Sequence, residues 1–172
     1  MKVLSLDLST KSSGYAIYND KELEKYGCIS AGSSNLFNRI EKMIKELNTI
    51  LVENKIDKVV IEEVLLNDVH NNQSVFKALI YLQAFVCKLL NDNNLTPEFV
   101  VASHWRKLCG IKTGAGVGRE SLKEKDIQFV KDQFGLNVND DIADAICIGF
   151  AAVGGIVKKP QVQVTDDGFE FM

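Results

Sequence analysis

Residues 2–20, KVLSLDLSTKSSGYAIYND, decide the fold of this 172-residue chain. An apolar, β-forming segment that contains Asp7 is followed by polar residues from Ser9 to Ser13, then Gly14 and a second apolar run, Tyr15–Tyr18. This order predicts a β-hairpin with a polar connection. A carboxylate in a buried strand must be paired, protonated or bound to a metal, because burying a bare charge is costly. Asp7 therefore needs a partner.

The length fits one domain, which we place at residues 1–157, followed by a C-terminal tail of uncertain structure at residues 158–172. The composition, 46% hydrophobic and 25% charged, is that of a globular protein. No apolar run reaches the roughly 18 residues of a membrane span, and the N-terminus has no signal-peptide pattern. We therefore expect a soluble cytoplasmic protein with no membrane partner, in the host cytoplasm if a phage encodes it.

The four cysteines and the net charge of −3 restrict the classes of protein to which the chain can belong. The cysteines are far apart and form no Cys-x-x-Cys or Cys/His cluster, which predicts reduced thiols rather than a zinc site or disulfides. A negative chain does not favour nucleic-acid binding unless its charges are unevenly distributed.

The remaining pattern predicts an α/β domain with a mixed sheet flanked by helices. The predicted elements after the hairpin are a strand at 25–30, a helix at 35–52, a strand at 58–64, a polar loop at 67–73, a helix at 74–90, a strand at 99–102, a polar, Gly-rich stretch at 103–119, a helix at 120–134 and a helix from about 139 through 150.

Acidic residues interrupt three of these apolar elements. Asp7 and Glu62 lie in two strands, while Asp141 and Asp144 are three residues apart on the last helix and share one side of it. Asp141 could instead be the helix N-cap, although Asp140 is the better candidate for a cap or a solvated neighbour. By alternation Glu63 faces solvent if Glu62 faces the core. The four acids are therefore predicted to converge.

Converging carboxylates repel one another unless cations lie among them. All-oxygen ligation suits Mg²⁺ or Mn²⁺ rather than zinc. Two such ions, roughly 3.5–4 Å apart, stabilise the attacking and leaving oxygens of a phosphoryl displacement. We expect Asp7, Glu62, Asp141 and Asp144 to be both the catalytic and the metal-binding residues, with Mg²⁺ as cofactor, Mn²⁺ as substitute and two ions per site.

With these acids in place, the chain resembles the RNase H-like nucleases, and specifically the RuvC-type Holliday junction resolvases, including phage-encoded members. The matching segments are LSLDLSTKSSGYA, VVIEEV and DDIADAICIG, and the likeness extends to about Val157. It implies an RNase H-like fold and a homodimeric endonuclease that nicks two opposing strands of a four-way junction, leaving 5′-phosphate and 3′-hydroxyl ends. Forks and other branched DNA are further candidate substrates. In that mechanism one ion activates water, the other stabilises the departing oxygen, and Asp7 bridges both.

Two features depart from the family pattern. Where the bacterial enzymes place a DNA-stacking aromatic residue three positions after the glutamate, this chain has Leu65, followed by Leu66. The tail after Val157 matches no part of the family pattern.

A local excess of positive charge predicts a DNA-binding surface. From His104 to Lys125 the cations outnumber the acids by 6 − 2 = 4, among several glycines that let backbone N–H groups approach phosphates. The alternative is a solvated, flexible loop. The predicted DNA-binding residues are Arg106, Lys107, Lys112, Arg119, Lys123, Lys125 and Leu65. Trp105 is expected to pack, and His104 to assist near the metals.

The sequence leaves assembly and activity open to more than one interpretation. The broad apolar surface of the helix at 74–90 is that of a core helix or of a homodimer contact, and two symmetric nicks favour the dimer. The opening motif is also similar to the first phosphate loop of the actin, sugar-kinase and Hsp70 ATPases, but those proteins need a second large domain and an adenosine-binding segment, for which this chain is short. A small RNase H-like ATPase or phosphotransferase stays an alternative, although we expect no nucleotide cofactor. The same fold would also suit a catalytically inactive junction-binding protein or an RNA-cleaving relative.

Overall fold

The computed structural model describes residues 1–32, 34–66, 72–114 and 116–155. The predicted tail at 158–172, the domain boundary at 157 and most of the predicted loop at 67–73 lie outside these residues. The strands are β1 (Lys2–Asp7), β2 (Ser12–Asn19), β3 (Glu22–Ser30), β4 (Lys58–Glu62) and β5 (Pro97–Val100). The helices are α1 (Leu36–Asn54), α2 (Gln73–Asp92), α3 (Ala102–Leu108), α4 (Arg119–Phe134) and α5 (Asp140–Ala152).

The strands form one mixed sheet in the order β3-β2-β1-β4-β5. The predicted hairpin joins β1 to β2, and β3 continues it antiparallel, whereas β4 and β5 run parallel to β1. Parallel neighbours require crossover connections, which α1 and α2 provide. The predicted α/β class with a mixed sheet flanked by helices is confirmed.

Each face of the sheet has its own hydrophobic core. Leu4, Leu6 and Ile61 point to one face, where they pack with residues of α1 and α2. Val3 and Val60 point to the other, where they pack with Trp105 of α3 and with residues of α4 and α5. Alternation along β1 and β4 therefore covers both faces with helices, as parallel strands require.

Helix α3 corrects the prediction of a continuous polar stretch at 103–119. Its seven residues, ASHWRKL, bury Trp105, while His104 and Lys107 are exposed. A helix of seven residues with few apolar positions lacks the periodicity on which the prediction depended. The short helix is stabilised instead by burial of one large side chain, the Trp105 indole.

Helix α2 keeps much of its apolar surface outside the core. The most apolar 18-residue window of this 20-residue helix has a mean hydropathy of 1.3 and is 22% buried. By length and composition alone it meets the criteria for a membrane span, as some core helices of soluble proteins do, which corrects the expectation that no segment would reach that length. The large apolar side chains that α2 exposes are Val75, Ile80, Tyr81 and Phe85.

Candidate active site

Two acids lie side by side where parallel strands end. Strand β1 ends at Asp7 and β4 ends at Glu62, and the register pairs Leu6 with Ile61 immediately before them. Since side chains at equivalent positions of paired strands point to the same face, both carboxylates project from one edge of the sheet. Glu62 is partly buried and Glu63 is exposed, as alternation predicts.

Helix α5 brings the other two acids to the same edge. Asn139 is its N-cap, with the side-chain oxygen accepting a hydrogen bond of 3.0 Å from the backbone N–H of Ile142, so the capping roles considered for Asp140 and Asp141 are excluded. Asp141 and Asp144 line one cavity together with Asp7 and Glu62. The predicted convergence of the four acids is therefore what the structure contains.

Close packing sets the position of α5. Gly14 of β2 lies against the start of the helix, and a Cβ atom there would collide with the backbone carbonyl of Asp141. Farther along, Ser5 Oγ donates to the carbonyl of Ala145 and Tyr18 Oη to that of Ile146, each at 2.7 Å. These contacts fix the acids of α5 relative to Asp7 on the adjacent strand.

The acids disfavour one another's ionised forms. Burial, followed by the charges of Glu62, Asp141 and Asp140, raises the pKa of Asp7 well above its ordinary value. Burial and the charges of Asp7 and Asp126 raise the pKa of Asp144 to about 10. A nearby cation would reverse both effects, because it favours the ionised forms.

Side chains of α3 contact two of the four acids, Glu62 and Asp144, and the neighbouring Asp126. Trp105 Nε1 donates to Glu62 Oε2 at 2.7 Å. Arg106 forms an ion pair with the fully buried Asp126 of α4, and its Nη2 lies 3.7 Å from Asp144 Oδ2. Two consecutive residues of a short helix thus contact separate parts of the acidic cavity.

The site contains oxygen ligands suited to a hard cation. Asp144 Oδ1 is buried and accepts no hydrogen bond from the described part of the chain. Within that part, no group of three acidic, histidine or cysteine side chains is already close enough to hold an ion. In donor chemistry the residues fit a divalent cation, and the orphaned Asp144 oxygen is the observation that favours one.

Two curated proteins are similar to this chain over most of its length. The chain is 28% identical over 151 residues to the crossover junction endodeoxyribonuclease RuvC of Campylobacter hominis, covering 85% of this chain and 94% of that protein. It is 29% identical over 155 residues to RuvC of Campylobacter concisus, covering 86% and 93%. The chain is therefore similar in sequence to RuvC over most of its length. No family model matches it.

The fold of this chain agrees with that of a solved structure. The structure of T. thermophilus RuvC in complex with a Holliday junction substrate superposes with a TM-score of 0.71 at 12% identity, covering 90% of this chain and 94% of that one. This likeness confirms the predicted RNase H-like fold. The resemblance to phage-encoded members stays a prediction.

Most of the predicted DNA-binding residues separate into two groups in the structure. Arg119 and Lys123 line the acidic cavity. Lys107 and Lys112 are exposed and line a second cavity beside α3, and Lys125 Nζ donates to the backbone carbonyl of Lys112 at 3.2 Å. Leu65 is 41% exposed just beyond Glu62.

Two predicted roles need correction. Arg106 is only 12% exposed and is occupied by Asp126, so it belongs to the acidic site rather than to an open DNA-binding surface. His104 lines the second cavity with Lys107 and not the cavity that contains the acids. Because α3 is a helix, Arg106 and His104 project in different directions. The prediction of an irregular stretch at 103–119 gave no basis for separating them.

Sequence reasoning missed Asp126 and the hydrogen bond made by Trp105. A signal for Asp126 exists, because it lies four residues before the buried Val130 and seven before the buried Gln133 on the same face of α4. An acid on the buried face of a helix requires a partner. For Trp105 only its packing was predicted, and its burial confirms that prediction.

Proposed function

We propose that this chain is a metal-dependent, structure-selective endodeoxyribonuclease that resolves four-way DNA junctions by paired nicks. The observation that supports this most strongly is the meeting of Asp7, Glu62, Asp141 and Asp144 in one cavity. The relatives from Campylobacter bear the name crossover junction endodeoxyribonuclease. Forks and other branched DNA are further candidate substrates. Action on DNA also agrees with the predicted cytoplasmic location.

Asp7, Glu62, Asp141 and Asp144 would hold the cation, with Mg²⁺ as the proposed ion, Mn²⁺ as its substitute and two ions as the proposed number. A bound divalent ion supplies charge stabilisation and lowers the pKa of water at the scissile phosphate. The protein's part is to hold four carboxylates at fixed positions on β1, β4 and α5. Arg106 places a permanent positive charge beside Asp144.

The cations around the cavity would position the DNA backbone. Arg119 is exposed at the rim and lines both the acidic cavity and the groove that continues from it along Lys11 and Arg39. Lys123 is paired with Asp140, and this hydrogen bond lowers the pKa of Asp140. Contacts of such side chains to phosphate orient DNA without reading its sequence.

A homodimer would supply the two cutting sites that paired nicks require. Phe85 is 48% and Tyr81 46% exposed on α2, and Tyr81 stacks on Phe37, which is 60% exposed on α1. A contiguous apolar surface of this kind is typical of an interaction site. We assign it to a second copy of the chain, related by a two-fold axis.

The dimer assignment has a direct test. Phe85→Asp should convert a dimer into a monomer in analytical ultracentrifugation, since it places a charge in the apolar contact. Phe99→Asp is the matched control, because Phe99 is similarly exposed, at 44%, but lies on β5 at the sheet edge. A monomeric native chain, or equal effects of both changes, would contradict the assignment.

The nuclease proposal is tested by incubating the purified chain with labelled four-way, forked and linear DNA in Mg²⁺, Mn²⁺ or EDTA. We expect paired nicks near the branch point only with metal. Asp7→Asn should abolish cleavage while junction binding persists, and Asp132→Asn on the exposed face of α4 should leave cleavage unchanged. Binding without nicks in either metal would favour a catalytically inactive junction-binding protein.

A further inference from the structure

We propose that Trp105 is a positioning residue for Glu62, which holds that carboxylate in the cavity it shares with Asp7. This inference rests on the nuclease function proposed above. It assigns to a packed core residue of α3 a role in setting the geometry of an acid on β4.

The contact is short and its donor side is rigid. Trp105 Nε1 lies 2.7 Å from Glu62 Oε2, and the indole has no solvent exposure. It packs in the core beneath the sheet with Val60, Cys109 and Ala143. Because this packing fixes the indole, the direction of its N–H also fixes where the carboxylate of Glu62 is held.

Turning Glu62 away would carry a penalty. The indole N–H is a donor only, and a buried donor left without an acceptor destabilises the folded state. A hydrogen bond to an ionised acceptor is also stronger than one between neutral groups. The indole therefore favours one orientation of the carboxylate over the extended ones that solvent would allow.

Glu62 is held from its backbone as well. Gln83 of α2 is buried and its Nε2 donates to the carbonyl oxygen of Glu62 at 3.1 Å. One oxygen of the carboxylate receives the indole hydrogen bond, and a carboxylate has about four acceptor positions in all. The contact with Trp105 thus orients Glu62 without using up its capacity to bind a cation.

Arg106 strengthens the argument from the same helix. Its guanidinium carbon lies 4.2 Å from the centroid of the Trp105 ring, and its nitrogens are fixed by Asp126. The indole is therefore enclosed by an immobilised cation on one face. A single turn of α3 holds the donor that orients Glu62 and the cation that lies beside Asp144.

The contact itself can be observed without any cleavage assay. The chain contains one tryptophan, so the indole N–H of the ¹⁵N-labelled full chain gives a single NMR cross-peak. We expect a downfield resonance with slow solvent exchange that moves upfield in Glu62→Gln. Glu63→Gln is the control, because Glu63 is the adjacent, exposed carboxylate. A resonance that does not respond to Glu62→Gln, or responds equally to both changes, would overturn the proposal.

The consequence for metal binding is measured with Trp105→Phe, which removes the donor and keeps an aromatic ring. We expect the Mg²⁺ affinity measured by calorimetry, and the Mg²⁺ concentration that gives half-maximal junction cleavage, to become roughly 10- to 100-fold less favourable. Asn54→Ala is the matched control, since it removes a 2.7 Å hydrogen bond of another buried side chain, between Asn54 Nδ2 and the carbonyl of Ile50, at the end of α1 and away from the acidic cavity.

The outcomes separate the two proposals. Equal Mg²⁺ affinities in Trp105→Phe and Asn54→Ala would overturn the positioning role and leave the nuclease function in place. A native chain that cleaves no junction in any metal would contradict the nuclease function, while the NMR result would still report the contact. If Trp105→Phe does not fold, the NMR comparison of the Glu62 and Glu63 variants decides the positioning role.

Discussion

Arg106 donates hydrogen bonds to Asp126 from two nitrogens of its guanidinium. Nε lies 2.9 Å and Nη2 2.7 Å from Oδ2, and Asp126 has no solvent exposure. Burial raises the pKa of Asp126, and the hydrogen bond from Arg106 opposes that effect. The pair connects α3 with α4 at the base of the acidic cavity, beside Asp144.

Breaking this pair should destabilise the fold. Arg106→Gln leaves the carboxylate of Asp126 buried without its cation, and the loss of one partner of a buried pair costs about 3–5 kcal/mol. Urea unfolding measures the change. Asp92→Asn provides the comparison, since it breaks the exposed Lys88–Asp92 pair of α2 and should cost less than ~1 kcal/mol. Similar losses in both variants would contradict a buried role for Arg106.

Without divalent ions, stability should fall as pH rises. The folded chain keeps the proton of Asp144 up to about pH 10, whereas the unfolded chain releases it near its ordinary value of 3.8. Between these values the folded state binds more protons, so the free energy of unfolding decreases by up to ~1.4 kcal/mol per pH unit for this group. Asp144→Asn should flatten the slope in EDTA and raise stability at pH 8. A slope unchanged in that variant would contradict the assignment.

Gly14 should tolerate no side chain. In Gly14→Ala the added methyl group meets the backbone of Asp141, which cannot move without shifting α5. We expect a loss of about 1–3 kcal/mol in stability from overpacking and a larger relative loss of junction cleavage. Gly118→Ala is the control, because no atom lies within 4 Å of a Cβ there. Cleavage by Gly14→Ala at the native rate would show that the close approach is not needed.

Lys112 should contribute to DNA affinity through phosphate alone. Lys112→Gln is expected to weaken binding of all sequences similarly and to reduce the slope of log affinity against log salt by about 1. Fluorescence anisotropy at several salt concentrations measures this slope. Lys45→Gln, which removes an exposed cation from α1, should leave it unchanged. A loss confined to particular sequences would indicate base contact instead.

The strands and the four acids were predictable because they depend on short-range patterns. Asp7 interrupts an otherwise apolar, β-forming segment, and Asp141 and Asp144 interrupt a helix that is otherwise apolar. Each is visible within about eight residues of sequence. The parallel pairing of β1 with β4 then places Asp7 and Glu62 side by side at the ends of the two strands.

The supporting contacts were not predictable in the same way. Trp105 and Glu62 are separated by 43 residues, and Arg106 and Asp126 by 20. Their pairing depends on how α3 and α4 pack, which no local pattern specifies. Arg106 was therefore grouped with its exposed neighbours, because linear charge density cannot distinguish a buried cation from a solvated one.

The two hydroxyl groups that bond the middle of α5 have a consequence for how this enzyme class can vary. A slip of one residue along the helix would shift its acids by about 1.5 Å and turn them by about 100°. Ser5 and Tyr18 oppose such a slip from neighbouring strands. Loops outside these contacts can therefore change in length or charge while the spacing of the four carboxylates stays constant.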